Sequence, residues 1–276
     1  MKKLDLTLAL GIGDNLVVRT YFNTIKHNYE QINITHSKPI LQIFRDNDRE
    51  YAKFVTEMGN LLFTQPPYRY NGWSNNYPVN VSQIVKDLKI IPIKPDLDHL
   101  LCVGTSLNLK EEYIVVTTKA RCFNRSKFYP LSVHLWGALK KLSEKYKIVI
   151  LGEREVEKSK EYTMGINRDY VFGIYDQLIT NIPADRIIDL SVPALGISVP
   201  EFSKIKQDCL IMKNAKAVVT LGIGGNLWLS AISSNMTIGY RDDAGDQVMD
   251  TITNPSFPSM FLTKNFPEFI KKLSLL

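Results

Sequence analysis

The residues best suited to chemistry lie in Leu10-Gly11-Ile12-Gly13-Asp14-Asn15-Leu16, after an apolar alternation from Leu4 to Leu10 and before an amphipathic run. The string reads as a strand, a tight turn and a helix start. Amides at a helix start attract an anion, and the glycines keep side-chain bulk away from it. A carboxylate there can take a proton from a hydroxyl, or it can serve as an N-cap or first-turn acid that complements the helix dipole. The string returns as Leu221-Gly222-Ile223-Gly224-Gly225-Asn226-Leu227, altered only in that Gly225 replaces the aspartate. Glycine at that place lets a ligand reach bare backbone. The first copy therefore reads as the chemical half of one cleft and the second as the phosphate half.

Other constellations are weaker. Tyr68, Tyr70, Trp73 and Tyr77 are interleaved with amides in a stretch from Thr64 to Val79 that is rich in Pro, Gly and Asn, and we expect a long loop there. Aromatic faces suit the C–H groups of sugar rings while amides bond the hydroxyls, although the same rings could simply pin the loop over the core. Lys119, Arg121, Arg125 and Lys127 form a cationic loop whose alternative is a solvated surface. Asp46-Asn47-Asp48 and Asp96-Leu97-Asp98 match the Asp-x-Asp of manganese-dependent transferases, a pattern short enough to arise by chance. His27, His36, His99 and His134 lack ligand or triad spacing and read as surface or packing residues. Cys102, Cys122 and Cys209 are too scattered for a zinc site or a disulfide framework, so no metal is assigned.

The elements that must position these groups alternate between strand and helix, which favours parallel sheets. In the first half we expect the helix Asn15–Ile25, strands Gln31–Ile34 and Pro39–Phe44, the helix Asp48–Leu62, the helix Val81–Leu88 and the strand Lys89–Ile93. Periodicity lapses between Asp96 and Glu112, so lobes of 1–105 and 106–276 are expected. The second opens with the strand Tyr113–Thr118 and a helix from Pro130, a residue that suits a first helical turn. The strand Lys147–Leu151 leads into a further helix to about Met164. The strand Arg186–Leu190, helix Phe202–Asn214, strand Ala217–Leu221, helix Gly224–Ser234, strand Met236–Tyr240 and helix Phe266–Leu275 follow.

With 276 residues and 45% hydrophobic content the chain can bury a core in each of two α/β lobes, and its net charge of +6 suits an anionic partner without choosing one. The opening residues lack the unbroken apolar core of a signal peptide, and no run reaches membrane-spanning length. We expect a cytoplasmic protein, with peripheral contact at the inner face of an anionic membrane left open.

The ordered motifs resemble the GT-B glycosyltransferases, nearest to family 9, the bacterial lipopolysaccharide heptosyltransferases. In that family a first strand ends in Gly-x-Gly-Asp, as Gly11-Ile12-Gly13-Asp14 does here. The resemblance implies two Rossmann-like doubly wound α/β lobes facing across a cleft, with Asp14 as general base. It implies donor contacts from Thr117, Thr118, Lys119 and Arg121, ribose contacts near Gly152 from Glu153 and Glu155, and pyrophosphate contacts from Gly222, Gly224, Gly225 and Asn226. Gly13, Asn15, Tyr70 and Trp73 are expected on the acceptor side. The family's usual Asp-Ser-Gly-x-x-His-x-Ala is replaced here by Thr220-Leu-Gly-Ile-Gly-Gly-Asn226-Leu-Trp-Leu-Ser-Ala231.

The activity so implied is sugar transfer from a nucleotide-sugar donor to a glycan or glycolipid acceptor, inverting, independent of metal and of any further cofactor. Alternatives are a non-catalytic protein binding sugar nucleotides or nucleic acid, and an Asp-x-Asp metal-dependent transferase. Nucleic acid is the less favoured partner.

Overall fold

The computed structural model describes residues 2–8, 12–37, 48–76, 94, 97–101, 104, 109–118, 120–121, 125–152, 154, 170–171, 174–192, 202–221, 225–241, 257 and 259–276. The expected strand Pro39–Phe44, the helix Val81–Leu88, the strand Lys89–Ile93 and the helix reaching Met164 lie outside these residues.

The first sheet is built from β1 (Lys3–Leu8), β2 (Gln31–Ser37) and β3 (Tyr68–Ser74), parallel and in that order. Helices α1 (Ile12–Ile25) and α2 (Asp48–Phe63) make its crossovers. Along β2 Ile32, Ile34 and His36 are buried while Gln31, Asn33 and Thr35 are half-buried, the period of two that a one-sided strand requires. Arg19 of α1 is buried as well. Its Nε donates to the Leu62 carbonyl at 2.9 Å and its guanidinium lies over the Tyr68 ring, tying α1 to α2 and β3.

The segment expected to be a long loop contains β3, and that expectation is corrected here. Tyr68, Tyr70 and Trp73 are good strand residues, and Asn71-Gly72, which looks like a turn, is a bulge. The register steps from Ile34↔Tyr70 to His36↔Trp73, with Gly72 at φ 84° taking up the extra length.

The second sheet is wholly parallel: β4 (Tyr113–Thr117), β6 (Lys147–Leu151), β8 (Ile187–Asp189), β9 (Ala217–Leu221), β10 (Thr237–Tyr240) and β11 (Met260–Thr263), in the order β11-β10-β9-β4-β6-β8. The short β5 (Ala120–Arg121) and β7 (Tyr170–Val171) pair antiparallel beside it. The chain winds outward from β4 to β8, returns, and winds the other way from β9 to β11. That doubly wound order leaves a switch point between β4 and β9. Ile114, Val116, Ile148 and Ile150 face one core, while Val115, Val149 and Val218 face the other. Burial on both sides explains why these strands read as continuous apolar runs.

One face carries α4 (Arg125–Ser143), α5 (Ile174–Asn181) and α8 (Phe266–Leu273). The other carries α6 (Phe202–Asn214) and α7 (Gly225–Ser233), with the single turn α3 (Asp98–Leu101) beside them. Helix α4 starts a turn earlier than expected. Pro130 therefore stands in its second turn and gives up one amide bond. Strand β11 and helix α5 had no counterpart in the sequence expectations. The lobes join where α1 packs on α7 and α2 on α6, and a single buried cluster runs from Leu16, Val17 and Met58 to Ile205, Met212 and Trp228. No described helix is long and apolar enough to cross a membrane.

Candidate active site

The candidate site of the second lobe lies at the switch point. Gly152 follows β6 with φ at 97°, a conformation that side chains rarely adopt. A β-carbon there would lie 3.3 Å from Thr118 Oγ1 and 3.4 Å from Asn226 Nδ2, so these residues share one small space. Thr118 is held by its amide, which donates to the Leu151 carbonyl at 3.1 Å, and by its hydroxyl, which donates to the same oxygen at 3.3 Å. Asn226 belongs to the first turn of α7, whose amides carry the positive end of the helix dipole. Thr117 of β4 and Thr220 of β9 are buried, and among the described residues their hydroxyls have no hydrogen-bond partner. The register Val116↔Val219 puts the two threonines on neighbouring strands, one step further along.

The two near-identical strings meet. A β-carbon at Gly225 would lie 2.6 Å from Ile12 Cγ2, so the first turn of α7 accepts a side chain from the first turn of α1. This adds a packing reason for glycine at that place. Gly225 is helical and is filled by the other lobe's isoleucine.

The first lobe carries a hydrogen-bonded chain. Trp73 Nε1 donates to Thr56 Oγ1 at 3.3 Å, and the Thr56 hydroxyl bonds Tyr70. The Tyr70 hydroxyl lies 3.2 Å from His36 Nδ1, and His36 Nε2 lies 2.7 Å from Asn15 Oδ1. Because a carboxamide oxygen only accepts, His36 is the Nε2–H tautomer, with Nδ1 accepting from Tyr70. Burial lowers the His36 pKa to about 4 and raises that of Tyr70, so both are neutral at ordinary pH.

Among the residues expected at the site, Gly13 and Asp14 are in the first turn of α1. Asn15 is fully buried, and Tyr70 and Trp73 are half-buried at the far end of the chain just described. Thr118 and Asn226 come together with Gly152, and Gly225 meets Ile12. Arg121 lies in β5, opposite Tyr170. Lys119, Glu153, Glu155, Gly222 and Gly224 lie outside the described residues. Asp48 and Asp98 open α2 and α3. Among the described residues no group of three or more His, Cys, Asp or Glu is arranged to hold a metal.

His27 and His134 are exposed, as surface residues should be, whereas His36 is a packing residue with both ring nitrogens engaged. Sequence reasoning missed that engagement, and with it Thr56 and Gly59. A β-carbon at Gly59 would fall 2.4 Å from the Tyr70 ring. The available signals were a histidine in the buried phase of β2 and a glycine inside a helix.

Two Rossmann-like lobes joined through the helices that follow β1 and β9 define the GT-B fold, and this chain has that fold in a divergent form. It matches the structure of the ADP-heptose LPS heptosyltransferase II of E. coli at 14% identity, over 100% of this chain and 99% of that one, with a TM-score of 0.50. It also aligns with E. coli heptosyltransferase WaaC with ADP, at 8% identity over 99% and 100% of the two chains, with a TM-score of 0.49. A third alignment is with the dodecameric iron-containing heptosyltransferase TibC in complex with ADP-D-β-D-heptose, at 13% identity over 96% of this chain and 63% of that one, with a TM-score of 0.46. No sequence family matches the chain, and no curated protein does.

Proposed function

We propose that the chain is a glycosyltransferase that moves a sugar from a nucleotide diphosphate to a glycan or glycolipid hydroxyl, with inversion and without metal. The observation that carries this reading is the convergence of Thr118, Gly152 and Asn226 at the switch point, beside the contact that brings the turn of Asp14 onto α7. The GT-B fold shared with an ADP-heptose transferase supports a nucleotide-activated heptose or related sugar as the donor class.

In this reading Asp14 takes the acceptor hydroxyl proton as that oxygen bonds the sugar's anomeric carbon. The bond from that carbon to the diphosphate breaks on the opposite face, and its electron pair leaves with the nucleotide. The amides at Gly222, Gly224, Gly225 and Asn226, with Thr118, Lys119 and Arg121, receive the growing negative charge. Glu153 and Glu155 hold the ribose. Gly13, Asn15, Tyr70 and Trp73 shape the acceptor side, Asn15 from a buried position. The lobe division at 105/106, action at the cytoplasmic face, and contact with an anionic membrane belong to the same proposal.

The test has two arms. Nucleoside diphosphates should raise the melting temperature by mass action where the parent nucleosides do not. Replacing Asp14 with Asn should lower turnover by roughly 10²–10⁴-fold with donor affinity nearly kept. Undiminished turnover in Asp14→Asn removes Asp14 from the mechanism. No response to any nucleoside diphosphate removes the donor site.

A further inference from the structure

We propose that His36 is a positioning residue, through which the chain Trp73, Thr56, Tyr70, His36 and Asn15 holds the first turn of α1, and with it Asp14, in its working place. The inference rests on the transferase reading for what Asp14 does. It rests on geometry for what His36 does.

The chain draws on three elements and reaches a fourth. Thr56 is on α2, His36 near the end of β2, Tyr70 and Trp73 flank the bulge in β3, and Asn15 is in the first turns of α1. The donors run in one direction, from the indole N–H through two hydroxyls and the imidazole to the carboxamide oxygen. Neither an indole nor a carboxamide exchanges a proton near neutral pH. The chain therefore cannot relay a proton to or from Asp14, and what it supplies is position.

The surroundings are adapted to this chain more than packing alone requires. Position 36 continues the buried series of Ile32 and Ile34, where a branched aliphatic residue would fill the slot with no polar group to satisfy. A neutral imidazole stands there, engaged at both nitrogens, with the rings of Tyr70 and Trp73 at centroid distances of 5.3 and 6.2 Å. Gly59 gives up helix propensity inside α2 so that the Tyr70 ring can lie where its hydroxyl reaches His36. The Gly72 bulge sets Trp73 opposite His36. Helix ends fray, and a catalytic group there needs placement to well under an ångström.

The test compares His36→Phe, which keeps a ring and loses both bonds, with His36→Gln, which can donate to Asn15 and accept from Tyr70, and with Tyr70→Phe, which removes a single hydroxyl. Amide exchange by mass spectrometry follows residues 12–16 against the later turns of α1, and steady-state kinetics follow transfer. In His36→Phe we expect faster exchange confined to 12–16 and a kcat lower by roughly 10–100-fold, because small misplacements of a catalytic group cost about that much. Nucleoside diphosphate affinity should stay within about twofold. His36→Gln should recover most of both losses, and Tyr70→Phe should show the same local exchange even if His36→Phe fails to fold. Exchange that is unchanged, or that rises equally along all of α1, overturns the inference. So does an unaltered kcat in an active enzyme whose first turn has loosened. A wild-type protein inactive with every nucleotide sugar would refute the transferase reading instead, and the exchange pattern would still decide whether the chain pins the turn.

Discussion

His36 is wholly buried, and desolvation lowers its pKa from 6.5 to about 4. The unfolded chain thus binds a proton below about pH 6.5 that the folded chain refuses until about pH 4. Stability should be unaffected by this group above pH 6.5, fall as the pH drops through that window, and level off below it. The loss amounts to about 2 kcal/mol at pH 5. His36→Gln keeps the hydrogen-bonding capacity and cannot titrate. Its urea unfolding free energy relative to wild type should therefore improve by about that amount between pH 7.5 and pH 5. Asp189, whose pKa is lowered, and Asp208, whose pKa is raised, titrate in both proteins and cancel from the difference. A difference that does not move with pH would mean that the imidazole is not desolvated as its burial requires.

At the scale of the element, α1 and α7 start against one another, and their fit depends on the absence of a β-carbon at Gly225. Gly225→Ala forces a methyl against Ile12 Cγ2, and overpacking of this kind costs roughly 1–3 kcal/mol. Ile12→Ala removes the obstructing methyl. In a double-mutant cycle followed by chemical denaturation, the second substitution should offset much of the first, whereas additive losses would show that the residues do not compete for the space. The elements were unevenly legible before the structure. Phe202–Asn214 and Ala217–Leu221 were read with the bounds they have, because long periodicity and an unbroken apolar run each leave little choice. Tyr68–Ser74 was not, since Asn71-Gly72 carries the same local signal whether the chain turns or bulges. Only pairing with β2 decides between them.

Across the whole molecule, one buried cluster passes from the first lobe's helices through α6 and α7 to the second sheet. Lobes that share a core in this way should melt together, with calorimetric and van't Hoff enthalpies in agreement. Two resolved transitions would contradict that continuity. The order of the second sheet was only partly legible. Alternation of strand and helix foretold parallel strands, but the reversal after β8 depends on which strand β9 chooses as a neighbour. The resemblance named Thr118 and Gly152 and the second glycine turn named Asn226, but that they share one space is visible only in the fold, and His36 reached Asn15 through a separation of 21 residues that no local pattern records. The seating of Ile12 at Gly225 also has a mechanical side. A small rotation of one lobe on the other, within the play the shared core allows, that keeps this contact as its pivot moves the outer rims further than the two helix starts. In the transferase reading, the separation between the turn of Asp14 and the start of α7 then stays nearly constant while substrates enter and leave at the periphery.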